Sequence, residues 1–359
     1  MNSFPLSRVE NSQPEGIGRV VSLRSGAAWN NLGRNVVFAD GALRPVAVFG
    51  DTMFPDDDEP SQYDLDVHAI VELAETGTVA VLNHYGTIRI FDSPWSVERG
   101  LAIVEPNLAE QRRLEFVDDI ERVVGLGDRL VTSRPRGKRQ DGILVTEPLP
   151  GVHDHLSADP AHESFGFVSA LAASAISEGT GRVALGGDGC VRLVEAERGR
   201  LGATRWEVSV DFLVSVLIES GSSLWAAGSV AGSADVDDYQ WDQLRGGGLV
   251  ELDLKSGSLL TSAGFGEDLA WGSGGVPLVL IDGLPCAVGR RGELQVLAPG
   301  AAETARLTEG LPSPPLGIAH AAVVGDQLVI GFNRGGYRLH VTRLPSLRRM
   351  MQHPSLRRA

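Results

Sequence analysis

Gly86-Thr87-Ile88-Arg89-Ile90-Phe91-Asp92 is a phrase that the chain repeats in altered form along its length. Gly189-Cys190-Val191-Arg192-Leu193-Val194-Glu195 is its nearest copy, and Gly247-Gly248-Leu249-Val250-Glu251-Leu252-Asp253 and Gly336-Tyr337-Arg338-Leu339-His340-Val341 are weaker ones. Each follows a second short apolar run: Val79–Leu82, Val183–Leu185, Leu224–Ala227 and Leu328–Ile330. Recurrence at several tens of residues marks a repeat architecture, because a unit too small to bury its own apolar face must stack on its neighbours. Short apolar runs alternate with turn signals throughout, and 44 glycines and 19 prolines are spread among them, a spacing that reads as all-β.

The clearest unit starts at His68: strands His68–Leu73, Thr78–Leu82 and Thr87–Phe91, with Leu101–Glu105 as an outer fourth strand. The same order extends to a third unit over residues 120–146, a fourth over 168–210, a fifth over 212–263 and a sixth over 276–308. The last unit, over residues 319–341, lacks a fourth strand, and the first is the least regular, with strands at 35–38 and 43–49. The expected fold is therefore a single β-propeller of seven four-stranded blades, closed by an N-terminal strand, Gly18–Leu23, that completes the last blade and removes a bare sheet edge. Residues 1–17 would be an N-terminal extension, 18–345 the propeller and 346–359 a basic C-terminal tail. Two β-sandwiches are the competing architecture, but sandwiches do not echo one phrase so often.

The phrases at 86–92 and 186–195 resemble the ends of WD40 repeats, with Phe-Asp and Val-Glu where Trp-Asp would stand. His68 and His320 resemble the histidine of that family's Gly-His pair, and Asp188 lies where its turn aspartate would lie. No Trp-Asp dipeptide ends a third strand, and His84 and Asn333 stand near two expected aspartate positions. The resemblance covers about half the units; it implies the propeller fold and leaves the task of the protein open.

Composition narrows the class. The chain of 359 residues is 43% hydrophobic and 22% charged, as expected of a globular protein. No apolar run reaches the ~18 residues of a membrane helix, and the polar, proline-broken first residues do not read as a secretory signal, which points to the cytoplasm. Cys190 and Cys286, the two cysteines, fall inside expected strands and read as small buried hydrophobes. A net charge of −14 argues against binding nucleic acid or anionic lipid through the propeller body. The charge is uneven: residues 343–359 carry five arginines and no acid, which leaves −19 on the remainder. Ser346-Leu347-Arg348-Arg349 and Ser355-Leu356-Arg357-Arg358 repeat within that tail, suited to an acidic surface on a partner or on the protein itself.

Function is read from the long connections, which the strand phasing gathers on one face: 51–66, 93–113, 134–141, 150–164 and 230–246. Trp95, Tyr239 and Trp241 are expected to anchor a partner, since aromatics dominate binding hot spots. Arg134, Arg136 and Arg139 would add fork-shaped contacts to phosphate or carboxylate. His153, His155 and His162 are spaced to ligate zinc, and Asp235 and Asp237 lie in an acidic run suited to calcium, although solvated loops explain both clusters as simply. No nucleophile elbow, P-loop or complete His-Glu-x-x-His occurs. A non-catalytic scaffold that binds a protein partner and needs no cofactor is the leading expectation. A propeller hydrolase, lyase or lactonase with zinc, calcium or a polar site at the channel mouth is the alternative.

Overall fold

The structure is a computed structural model describing residues 7–8, 20–30, 36–49, 67–73, 77–83, 87–91, 113–115, 122–127, 129–133, 143–145, 168–177, 180–197, 200–229, 247–265, 277–281, 283–289, 293–297, 304–306, 320–332 and 335–340. Every regular element among them is a β-strand. In chain order they are β1 (Ser7–Arg8), β2 (Val20–Leu23), β3 (Gly26–Asn30), β4 (Val36–Asp40), β5 (Pro45–Phe49), β6 (Val67–Glu72), β7 (Val79–Asn83), β8 (Thr87–Phe91), β9 (Arg113–Glu115), β10 (Arg122–Leu126), β11 (Arg129–Ser133) and β12 (Ile143–Val145). Then follow β13 (Ala170–Ser177), β14 (Thr180–Glu197), β15 (Arg200–Ser220), β16 (Ser223–Ser229), β17 (Gly248–Asp253), β18 (Leu259–Gly264), β19 (Leu278–Ile281), β20 (Leu284–Val288), β21 (Leu294–Leu297), β22 (Thr304–Arg306), β23 (His320–Val324), β24 (Gln327–Phe332) and β25 (Gly335–His340).

All pairings are antiparallel between neighbours in the chain, apart from β1, which joins the far end of the sequence. Four sheets have four strands (β2–β5, β6–β9, β19–β22, and β23–β25 with β1), and β10–β12 form a three-stranded sheet. The sixth sheet runs β13 to β18, and its two long strands each change partner midway. Thr180–Gly186 of β14 pair with β13, whereas Asp188–Glu197 pair with β15; the register shifts at Gly189, whose φ is +71°. Likewise Arg200–Ser209 of β15 pair with β14, and Leu213–Ser220 pair with β16. The repeated phrase lies in β8, the second half of β14, β17 and β25; β8 and β25 are the third strands of their sheets in chain order, whereas β14 and β17 are the second and fifth strands of the six-stranded sheet.

The strand pattern follows local chemistry. Two-residue hairpins join first to second strands where Leu126 pairs with Arg129, Ser220 with Ser223 and Val324 with Gln327. Gly127, Gly221 and Gly325 supply the positive φ these hairpins need, at +62°, +59° and +56°. At the β4–β5 turn a non-glycine residue, Leu43, holds φ +64° with its side chain buried. Asp40 stabilises that geometry: its carboxylate accepts bonds from the Ala42 and Arg44 amides, both 2.9 Å, and from the Arg44 guanidinium at 2.7 and 2.8 Å.

Apolar residues from adjacent sheets meet in separate cores. Trp29 and Val37 pack with Val324 and Val329, and Phe38 and Val36 pack with Ile70 and Val81. Val131 and Leu126 join Leu171 and Leu185, and Trp225 and Leu249 join Leu278 and Leu297. Within the long sheet, Leu193 and Trp206 pack against Leu224 and Leu252. Trp206 also donates its indole N–H to the Leu254 carbonyl at 3.1 Å, fastening the outer half of β15 to the β17–β18 turn. Here the ring lies 2.8 Å from where a Cβ at Gly257 would stand, so a side chain there would displace it.

Two expected strands are corrected. Val20–Leu23 is the first strand of its own sheet, paired to β3, and the N-terminal strand on the last sheet is Ser7–Arg8, with Ser7 opposite Arg338 and Arg8 opposite Tyr337. The fourth strand after β8 is Arg113–Glu115, where Leu101–Glu105 was expected. Both depend on which edge is available for pairing, a tertiary matter that strand propensity does not encode.

Candidate interaction face

The first-to-second hairpin ends of several neighbouring sheets meet: the Arg24 amide donates to Glu72 at 2.8 Å, Gly125 lies against Glu72 and Leu73, and Gly181 lies against Leu126. Ser174, Arg182 and Glu219 link β13, β14 and β15 there: Ser174 donates to Glu219 at 2.9 Å, and the Arg182 guanidinium grips the same carboxylate through two nitrogens. At the opposite end the Arg122 guanidinium donates to the Ser169 carbonyl at 2.7 Å. The buried Ser169 hydroxyl lies within bonding reach of the Gly186 and Val214 carbonyls. This second end carries the connections from second to third strands, including 134–142 and 230–247.

Trp95, Arg134, Arg136, Arg139, His153, His155, His162, Asp235, Asp237, Tyr239 and Trp241 all lie outside the described residues. The structure describes the strands that bear them. Arg134, Arg136 and Arg139 follow β11, and Asp235, Asp237, Tyr239 and Trp241 lie between β16 and β17, so these two connections start from the same end. The three histidines fall between β12 and β13. Trp95 falls between β8 and β9, and the end of β8 and the start of β9 both lie at the hairpin end. Pairing of Arg113–Glu115 with β8 accounts for that departure from the expected common face.

The root of the 230–246 connection is unusually constrained. Gly228 pairs with Gly248 as the last rung of β16 and β17. A Cβ on Gly228 would lie 1.7 Å from the Leu213 carbonyl oxygen, and one on Gly248 would lie 2.1 Å from the buried Phe212 ring. On Gly247 it would meet the Phe265 ring at 2.5 Å, while the Phe265 amide donates to the Gly247 carbonyl at 3.2 Å. Three glycines thus let two aromatic rings and a neighbouring strand close on the hairpin neck, where any side chain would force them apart. The run Gly246-Gly247-Gly248 is visible in sequence, but Phe212 and Phe265 as its packing partners are not.

The root of the arginine connection is also closely packed. Thr132 and Ser133 end β11 fully buried, with neither hydroxyl hydrogen-bonded among the described residues. Arg122, cross-strand from Ser133, lies on the same face of the sheet, toward Ser169. Neither cysteine forms a disulfide; burial first, then the nearby Glu207 carboxylate, push the Cys190 thiol above its ordinary range, which leaves it protonated near neutrality. Among the described residues no cluster of three or more His, Cys, Asp or Glu side chains is arranged to hold a metal.

Comparison with solved structures defines the fold. The chain is similar to the WD40 domain of Neurospora crassa Pan2, with a TM-score of 0.59 at 12% identity over 95% of this chain and 97% of that one. It is similar in the same degree, at 0.59 and 12%, to the β-propeller domain of Cps50 (Swd1) from Myceliophteria thermophila, over 93% and 99% of the two chains. BamB from Moraxella catarrhalis matches at 0.52 and 13% identity, over 94% and 96%. No sequence-family profile and no curated protein matches the chain. The chain has a divergent WD40-like β-propeller fold. At these identities the likeness carries the architecture alone.

Proposed function

We propose that the protein is a non-catalytic interaction scaffold, a seven-bladed β-propeller whose second-to-third-strand connections receive a protein partner. The blade count takes the six-stranded sheet as two blades, divided where β14 and β15 change partners, and β1 as the strand completing the last blade. Tyr239 and Trp241 serve as apolar anchors, while Arg134, Arg136 and Arg139 select an acidic or phosphorylated surface. Trp95, carried at the other end, belongs to a separate contact.

The supporting observation is the glycine neck beneath residues 230–246. A rigid root lowers the ordering cost of a binding loop, which is where affinity is commonly lost. Capture from a lysate of the source cells, quantified by mass spectrometry, tests the reading. A specific partner should be retained by the wild type and depleted severalfold by Trp241→Ala or by Arg134→Ala/Arg136→Ala. Equal recovery with all three proteins would overturn it, as would stoichiometric zinc or calcium lost on His153→Ala or Asp235→Ala.

A further inference from the structure

β18 is, among the described residues, the last strand of the long sheet and hydrogen-bonds only to β17. Among the described residues just three large apolar side chains are exposed, and two of them, Leu259 (57%) and Leu260 (54%), are adjacent here. A register shift produces the pair: Leu252 stands opposite Leu259 and Glu251 opposite Thr261, so Leu260 is an inserted residue that swells the edge outward.

Sheet edges are normally guarded by charge or proline. The other fourth strands follow that rule: β5 begins with Pro45, β9 carries Arg113 and Glu115, β22 carries Arg306 and β1 carries Arg8. The outer half of β15 carries Arg205 and Glu207, each in an ion pair with β14. Leu259–Gly264 has neither charge nor proline. Asp253, at the adjoining turn, is half-buried, and bonds from the Ser256 hydroxyl and amide hold its carboxyl below the usual range, so it is fully ionised at neutral pH.

We infer that residues 343–359 of the same chain supply the strand that covers β18, seating a Ser-Leu-Arg-Arg unit with its leucine against Leu259 and Leu260 and its arginines toward Asp253. Charge complementarity favours this occupant, since the segment carries +5 and residues 1–342 carry −19. Reach is sufficient: residues 341–354, ahead of the second unit, extend to roughly 46 Å at ~3.3 Å per residue. One sheet, β19–β22, lies between the sheets ending in β18 and β25, and stacked sheets are spaced by about 10 Å. The six residues of β18 span roughly 20 Å, whereas leucines nine residues apart span about 30 Å, so one unit seats at a time and the second is its duplicate. A second molecule's body, equally acidic, is repelled; the tethered segment acts at an effective concentration near the millimolar range.

Hydrogen exchange of the β18 amides tests the inference. A tethered segment of ~100 µM intrinsic affinity protects the outward amides about tenfold. Protection should vanish in the chain truncated after Thr342, in Leu347→Asp/Leu356→Asp and in Leu259→Lys/Leu260→Lys, and stay nearly intact in Leu347→Asp alone. A synthetic 343–359 peptide at millimolar concentration should restore it to the truncated chain. Unchanged exchange of the β16 and β17 amides shows that each variant keeps its fold. Equal β18 exchange with and without the segment would refute the proposal. Protection that disappears on tenfold dilution would refute it too, by assigning the contact to a second copy.

Discussion

Gly228→Ala should unfold the scaffold where its most constrained connection begins. The added methyl would stand 1.7 Å from the Leu213 oxygen and 2.7 Å from its carbonyl carbon, with the Phe212 ring 3.0 Å away. Relief requires the backbone of β15 to withdraw by about 1.5 Å, because real contacts of this kind lie beyond ~3.2 Å. That movement breaks the rungs joining Leu213 to Ser229 and Val214 to Gly228. Two lost backbone bonds at about 1 kcal/mol each, with overpacking of about 1–3 kcal/mol, predict a loss of roughly 3–5 kcal/mol. Gly221→Ala is the control: unlike Gly228 it sits at positive φ, +59°, but its Cβ meets nothing within 4 Å, so only backbone strain of about 1 kcal/mol applies. Urea unfolding followed by tryptophan fluorescence reads both, since Trp206 and Trp225 lie in the affected sheet. A Gly228→Ala protein within about 1 kcal/mol of wild type, or no weaker than Gly221→Ala, would refute the reasoning.

Two further outcomes follow from the turns and the ends of the chain. Burial raises the Asp40 carboxyl, but bonds from the Arg44 amide and guanidinium and the Ala42 amide outweigh it and leave the group below its ordinary range. A lowered folded value stabilises the protein above the unfolded value near ~3.9, and the benefit is lost as pH falls through the folded value. Asp40→Asn should therefore cost about 1–2 kcal/mol at pH 7, with the gap to wild type closing below about pH 4; a gap independent of pH would count against the charged interaction. Deleting residues 1–8 removes β1 and bares the Tyr337–Arg338 edge. The expected result is a lower melting temperature, through loss of about 1–2 kcal/mol, and faster growth of light scattering on heating. Unchanged melting and scattering would show that β1 contributes nothing to the last sheet.

The repeated phrase was enough to identify an all-β repeat protein, because an alternating third strand and its glycine-led turn are local properties. Its four copies all fall in strands, β8, β14, β17 and β25. Hairpins such as Gly127, Gly221 and Gly325 were equally legible, since positive φ restricts the residue type. Outer and closing strands were not. Val20–Leu23 is the better strand by composition, yet Ser7–Arg8 covers β25, because closing partners are chosen by an edge that exists only after the chain has folded. For the same reason Arg113–Glu115 took the place of Leu101–Glu105, so that β8 ends and β9 starts, on either side of Trp95, at the hairpin end. The aromatic and acidic character of residues 235–242 was plain in the sequence. The neck that makes their root rigid was decided by the tertiary structure, where Phe212 and Phe265, on either side in the chain, close on Gly228, Gly247 and Gly248.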